Sequence, residues 1–200
     1  EQNMNTAPEE VFRRHGGQLR MQEALKAGIS RYMLYRLKDT GIIEQVSRGV
    51  YRLASLPPLG NPDLVTVALR FPQAVICLVS ALAYHELTTH IPHRVYVALP
   101  RSARTPTLDS PPLSVHRFSD RSYRAGVEKQ LIDGVTVPIY CPEKTLVDCF
   151  KFRNKIGLDV VLEAVKLYAS HPHANFAEVM VYAKACRVDR IMQPYVEVLL

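Results

Sequence analysis

SRYMLYRLKDTGIIEQVSRGVYR, residues 30–52, decides how the rest of the chain is read. Ser30 can cap a helix, because its hydroxyl can accept from a free first-turn N–H. Gly41 can end that helix, since a residue without Cβ enters the left-handed region at little cost. At about 100° per residue, Met33, Leu34 and Leu37 gather on one side, which is predicted to be buried. Arg31, Tyr32, Tyr35 and Arg36 fall on the other side, with Lys38 on the flank. A strand around Ile42–Val46, a Ser47-Arg48-Gly49 turn and a return strand Val50–Leu53 complete a hairpin with arginine at its tip.

Such a helix face suits a DNA major groove. Arginine forks onto the two acceptors of guanine, and tyrosine hydroxyls reach bases or phosphates. Arg48 and Arg52 in the hairpin suit the adjacent phosphate backbone or minor groove. A basic helix face can equally be a solvated surface. Here a helix and a turn precede it and a basic hairpin follows, which is the order of a winged helix-turn-helix. The expected DNA-contacting set is therefore Ser30, Arg31, Tyr32, Tyr35, Arg36, Lys38, Arg48 and Arg52.

Upstream, Thr6-Ala7-Pro8-Glu9 has the pattern of a capping box and opens a helix to about His15, stopped by Gly16-Gly17. A second helix is predicted from Arg20 to Ala27, with Met21, Ala24 and Leu25 inward and Gly28 at its end. Downstream, SLPPLGNP (residues 55–62) can continue neither a helix nor a central strand. The expected division is a winged helix over 1–56, a linker at 57–62 and a mixed α/β domain over 63–200. The fold class is thus α+β, with the second domain ending in helices.

That second domain reads as a helix from Asp63 to Arg70, a strand Ala74–Val79 and a helix capped by Ser80. Strands at Arg94–Leu99 and Leu113–Phe118 follow, separated by a proline-containing loop. A hairpin then turns at Asp133-Gly134, with strands Gln130–Ile132 and Val135–Tyr140. Helices are predicted at 142–153, 158–169, 174–185 and 189–199. The first of these reads as amphipathic, with Leu146, Val147 and Phe150 inward and its charges paired in solvent. Alternatively Lys151, Arg153 and Lys155 form a basic run able to touch nucleic acid.

The 200 residues carry 25 Lys+Arg against 19 Asp+Glu, a net charge of +6 that favours a polyanionic partner. Residues 1–56 hold nine of those cations and six of the anions, so the shorter segment is the more basic per residue. The four cysteines, at 77, 141, 149 and 186, are too scattered for a zinc site or a disulfide framework. No apolar run approaches a membrane span and no signal pattern opens the chain, so a cytoplasmic protein with no membrane partner is expected.

Catalytic and metal chemistry find no residue set. His85 and His90 are five apart, about 140° around a helix, where a zinc-protease motif needs four. No Glu-x-Lys or Asp-x-Lys follows Asp63 to build a magnesium nuclease centre. No phosphate-cradling glycine loop appears. Neither a cofactor nor a catalytic or metal site is expected. The alternative is a winged helix fused to a nuclease-like or other enzymatic domain.

Three stretches together carry a family resemblance: GGQLRMQEALKAGISRYMLYRLKDTGIIEQVSRGVYRL, ICLVSALAYHELTTHIPHRVYVALP and YCPEKTLVDCFKFRNKIGLDVVLEAVK. In this order they resemble the AbiEi-type antitoxins, the transcriptional regulators of AbiE toxin–antitoxin and phage-defence pairs. The resemblance implies a non-enzymatic repressor whose winged helix binds double-stranded DNA at inverted repeats in its own promoter. It implies a second domain that counters a nucleotidyltransferase-like toxin, with no stable complex between the two required. Groove contact carries over onto Arg31, Tyr32, Tyr35, Arg36, Arg48 and Arg52. No antitoxic residue set carries over.

Overall fold

Residues 7–199 are described by the structure, a computed structural model. Thr6, the expected cap of the first helix, lies outside them. The chain divides into two units by its internal contacts. One comprises residues 1–72 together with 131–136, and the other 73–130 with 137–200.

In the first unit, α1 (Pro8–Arg14) is followed by β1 (Gln18–Arg20), α2 (Met21–Lys26) and α3 (Arg31–Asp39). The strands β2 (Ile43–Ser47) and β3 (Val50–Leu53) come next, then α4 (Pro62–Arg70). The sheet order is β1-β3-β2, antiparallel throughout, so the last strand in sequence is the central one. β1 was not legible as a strand. Its three residues, Gln18 to Arg20, are held by pairing with Arg52, Tyr51 and Val50. Phe12, Leu19, Ala24, Ile29, Leu34 and Ile43 centre one closed apolar core with Tyr51 and Leu53.

Two inward assignments change. Met33 is 37% exposed and Leu25 36% exposed, whereas Leu34 and Ala24 are fully buried. α2 and α3 are short and bury narrow arcs. On α3 the buried arc is Leu34 and Leu37, and Met33 lies beyond its edge.

The expected linker behaves differently too. Arg52 donates to the Pro57 carbonyl at 2.6 Å. The Gly60 and Asn61 N–H groups donate to the Asp133 carboxylate at 3.1 and 3.0 Å. Gln18 Nε2 donates to the Asp133 carbonyl at 2.7 Å. Residues 57–62 are thus pinned within the first unit, which also takes in α4 and the Asp133-Gly134 turn. Pro57-Pro58 and Asn61-Pro62 do interrupt regular structure, but an interruption need not be a boundary.

The second unit holds β4 (Val75–Ile76), α5 (Leu78–Tyr84), β5 (Val95–Pro100), β6 (Leu113–Phe118) and α6 (Asp120–Arg124). Strands β7 (Val127–Ile132) and β8 (Val135–Tyr140) form the hairpin whose tip clusters with the first unit. The sheet order is β6-β5-β4-β8-β7, with β4 parallel to β8 and antiparallel to β5. Helices α7 (Pro142–Lys151), α8 (Arg153–Ile156), α9 (Leu158–Ala169), α10 (Phe176–Cys186) and α11 (Asp189–Leu199) complete it. The helix predicted over 142–153 therefore breaks at Phe152, and the one predicted over 174–185 starts two residues later. Cys77, not Ser80, occupies the cap position of α5. Ser80 Oγ instead accepts from the Tyr96 N–H at 2.9 Å and donates to the Arg94 carbonyl.

α7 is not amphipathic in the expected sense. It packs against α5, α9, α10 and α11, and every residue from Lys144 to Phe150 is buried. Lys144 and Asp148 have no exposed side-chain surface and meet at 2.6 Å. The Lys144 ammonium lies 4.2 Å from the Tyr140 ring centroid and 5.0 Å from that of Phe118. Asp148 Oδ1 has no partner. Burial pushes the Asp148 carboxyl up to about 6, against the opposing pull of Lys144 and Lys151.

Two stability predictions follow from this pair. Lys144→Met leaves a buried carboxyl without its cation and should cost about 3–5 kcal/mol, while Lys144→Met/Asp148→Leu should recover most of that loss. Urea unfolding at neutral pH measures both. Because the folded-state carboxyl binds its proton more tightly than the unfolded one, its contribution is full below about pH 4. It is lost as pH rises through about 6. Stability relative to the double variant should fall by about 3 kcal/mol across that window.

Candidate nucleic-acid interface

α3 starts where the sequence places it. Ser30 Oγ accepts from the Met33 N–H at 3.2 Å, and Gly41, at φ +75°, takes the left-handed conformation beyond the last turn. Thr40 Oγ1 donates to the Arg36 carbonyl at 2.8 Å, adding a second bond to an acceptor that already takes the Thr40 N–H at 2.9 Å. With Leu34 and Leu37 in the core, Arg31, Tyr32, Tyr35 and Arg36 all lie on the solvent side. Tyr32 is 69% exposed and Tyr35 48%.

Two side-chain contacts order this face. The Arg36 guanidinium sits 6.0 Å from the Tyr32 ring centroid, a cation–π distance on one helical turn. Lys38 Nζ donates to Gln45 Oε1 at 3.1 Å, tying the end of α3 to β2. Among the described residues, Arg31, Arg36, Lys38 and Arg48 have no carboxylate partner within salt-bridge distance. Their charge is available to an external anion. Asp39 is also exposed at the end of the helix and offsets part of the Lys38 charge, so the cationic character is strongest from Arg31 to Arg36.

The hairpin tip is the second element. Arg48 is exposed and Gly49 supplies φ +73°. The Gly49 carbonyl accepts from the Met21 N–H at 2.9 Å, which fastens the tip to the start of α2. Between α3 and β2 a groove is lined by Lys38, Gln45, Ser47 and Arg48 and by Glu44, whose carboxylate is paired with Arg52.

Arg52 departs from the expected set. It is 4% exposed, donates to Glu44 Oε1 at 2.7 Å and to the Pro57 carbonyl, and cannot reach a nucleic acid. The reason is the sheet order. β3 is central and all four of its residues are buried. Pairing places Glu44 directly opposite Arg52, where the carboxylate meets the guanidinium. Tyr51 beside it is buried as well, and burial first, then the nearby Tyr35 hydroxyl, raises its phenol above the ordinary value.

In the second unit, Lys151 and Lys155 are exposed, whereas Arg153 turns back to donate to the Phe150 carbonyl at 2.9 Å. The basic run that was the alternative reading of this stretch is therefore interrupted at Arg153. His85 is half-buried, and its Nε2 lies 2.7 Å from the Tyr140 carbonyl. Burial lowers its pKa, outweighing that hydrogen bond and the influence of Glu128 and Glu143. Among the described residues no three His, Cys, Asp or Glu side chains are grouped to hold a metal ion. No described helix is long and apolar enough to cross a membrane.

Residues 7–54 match the family model described as transcriptional regulator, AbiEi antitoxin. The fold resembles the crystal structure of the RV2827C protein from Mycobacterium tuberculosis. The TM-score is 0.53 at 15% identity, covering 95% of this chain and 79% of that one. No curated protein matches.

The contrast between Arg52 and Arg48 is testable. Arg52→Ala should lower unfolding free energy by about 2 kcal/mol, through the lost charge-assisted hydrogen bonds. Arg48→Ala should stay within about 0.5 kcal/mol of the parent in the same urea titration, because its side chain is solvent-facing.

Proposed function

We propose that this chain, whose residues 7–54 are of the AbiEi antitoxin type, is a winged-helix repressor of its own promoter and the antitoxin of a toxin–antitoxin pair. α3 is the recognition helix and enters the major groove. The β2–β3 hairpin is the wing and lies on the phosphate backbone. The observation that carries this reading is the cationic, aromatic face of α3: Arg31, Tyr32, Tyr35 and Arg36, exposed together and free of carboxylates.

Arg31 and Arg36 supply the forked donors that distinguish guanine in the major groove, and the two tyrosines supply ring faces and hydroxyls. Ser30 orders the helix start, where free backbone N–H groups favour a phosphate. Lys38 and Arg48 add sequence-independent attraction. Inverted repeats in the promoter would seat two copies with their recognition helices one DNA turn apart. The second unit acts in countering a nucleotidyltransferase-like toxin, without catalysis and without a cofactor. Its tightly filled α7 core supports a scaffold or interaction role.

Arg31→Ala or Arg36→Ala should cost about 1–3 kcal/mol on the specific site and much less on random duplex, in a fluorescence-anisotropy titration. Equal losses on both duplexes would mean that α3 does not read sequence. In cells, Arg31→Ala/Arg36→Ala should abolish repression of a promoter reporter. The same protein, supplied from another promoter, should still rescue growth from the toxin. Loss of both activities at matched protein levels would show that antitoxicity depends on DNA binding.

A further inference from the structure

α4 lies outside the segment that matches the family, yet its last residue touches the tip of the hairpin. The Arg70 guanidinium Nη1 donates to the Arg48 carbonyl. The next carbonyl, that of Gly49, is held by the Met21 N–H. Two consecutive carbonyls at the tip are therefore fastened, one to α2 and one to α4. This leaves a tight turn, with Gly49 in the left-handed region, little freedom to swing. α4 packs on β2 and β3, which sets where the Arg70 backbone stands, and its guanidinium reaches the tip through a solvent-exposed hydrogen bond. Arg48 is exposed, and its direction is set by the backbone that Arg70 holds.

We propose that Arg70 is a positioning residue for DNA binding: it fixes the hairpin tip so that the Arg48 side chain meets a backbone phosphate. The proposal rests on the winged-helix reading above, and it extends the DNA-binding element beyond residue 54 to the end of α4. A hairpin free to swing must be ordered on binding, and an arginine on an ordered tip loses less freedom for the same contact.

The test is a double-mutant cycle on the full chain, using a duplex selected from a random-sequence pool by the parent protein. Arg48→Ala, Arg70→Met and Arg48→Ala/Arg70→Met are compared for affinity and for the slope of log affinity against log salt. The expected result is that each single change lowers the slope by about one phosphate contact. The double change should be no weaker than Arg48→Ala alone. Additive losses, with the slope falling by about two in the double variant, would assign Arg70 a phosphate of its own and overturn the positioning role. So would parent-like binding by Arg70→Met. Thermal unfolding checks that the variants are folded, and Arg70→Gln is measured in the same way should Arg70→Met not fold. Arg31→Ala/Arg36→Ala separates the two levels of the argument. If it keeps the preference for the selected duplex, the recognition-helix reading fails and the proposal with it. If it loses that preference while Arg70→Met has no effect, the proposal alone fails.

Discussion

Strand β3 is the constraint on which the first unit depends. It pairs with β1 on one side and β2 on the other, and Val50, Tyr51, Arg52 and Leu53 are all buried. A four-residue strand paired on both sides has its backbone donors and acceptors committed, so it cannot shift register cheaply. It thereby fixes the return of the hairpin from its tip, the exit towards Pro57 and part of the surface on which α4 packs. The buried arginine within it would be costly alone. Glu44 across the strand pair and the Pro57 carbonyl make it tolerable, although Arg52 Nε remains without a partner. With the strand fixed, the outer face of α3 and the exposed Arg48 keep one geometry between them. That geometry is what a duplex would meet.

Much of this was legible because the signals are local. Ser30 and Gly41 mark α3 to within a residue, since a cap hydroxyl and a left-handed glycine act within one turn. Asp133-Gly134 marks its hairpin for the same reason. β6, β8, α9 and α11 also fall where periodicity and turn residues put them. The failures come from tertiary context. β1 is three residues long and has no pattern of its own. Arg52 looks like a wing cation in sequence, because nothing in Val-Tyr-Arg-Leu says that its strand is central. The one available signal was Glu44, eight residues upstream, which antiparallel pairing sets opposite it.

Lys144 and Asp148 show the same limit in the second unit. An i, i+4 charge pair usually marks a solvated helix face, and the stretch Glu-Lys-Thr-Leu-Val-Asp-Cys-Phe was read that way. Here the helix is enclosed on all sides, and the pair is closed off by the Tyr140 and Phe118 rings. Gly126 adds to the enclosure, since a Cβ there would come within 2.6 Å of the Lys144 Cβ. No local clue told the two readings apart, because Lys144, Asp148 and Lys151 fall at the i, i+4 and i+7 spacing of a solvated stripe. Buried pairs of this kind add little net stability, and fixing one arrangement of a core is the role best suited to this one.

The central claim is that α3 and the hairpin tip, and no part of the second unit, form the DNA-facing surface. Hydroxyl-radical footprinting of the full chain, read by mass spectrometry with and without a selected duplex, tests it most directly. Tyr32, Met33 and Tyr35 are exposed in the free protein and should lose reactivity on binding, while Ile91 and Val198, 82% and 85% exposed, should keep theirs. Unchanged reactivity at Tyr32 and Tyr35, with protection in the second unit instead, would contradict the account.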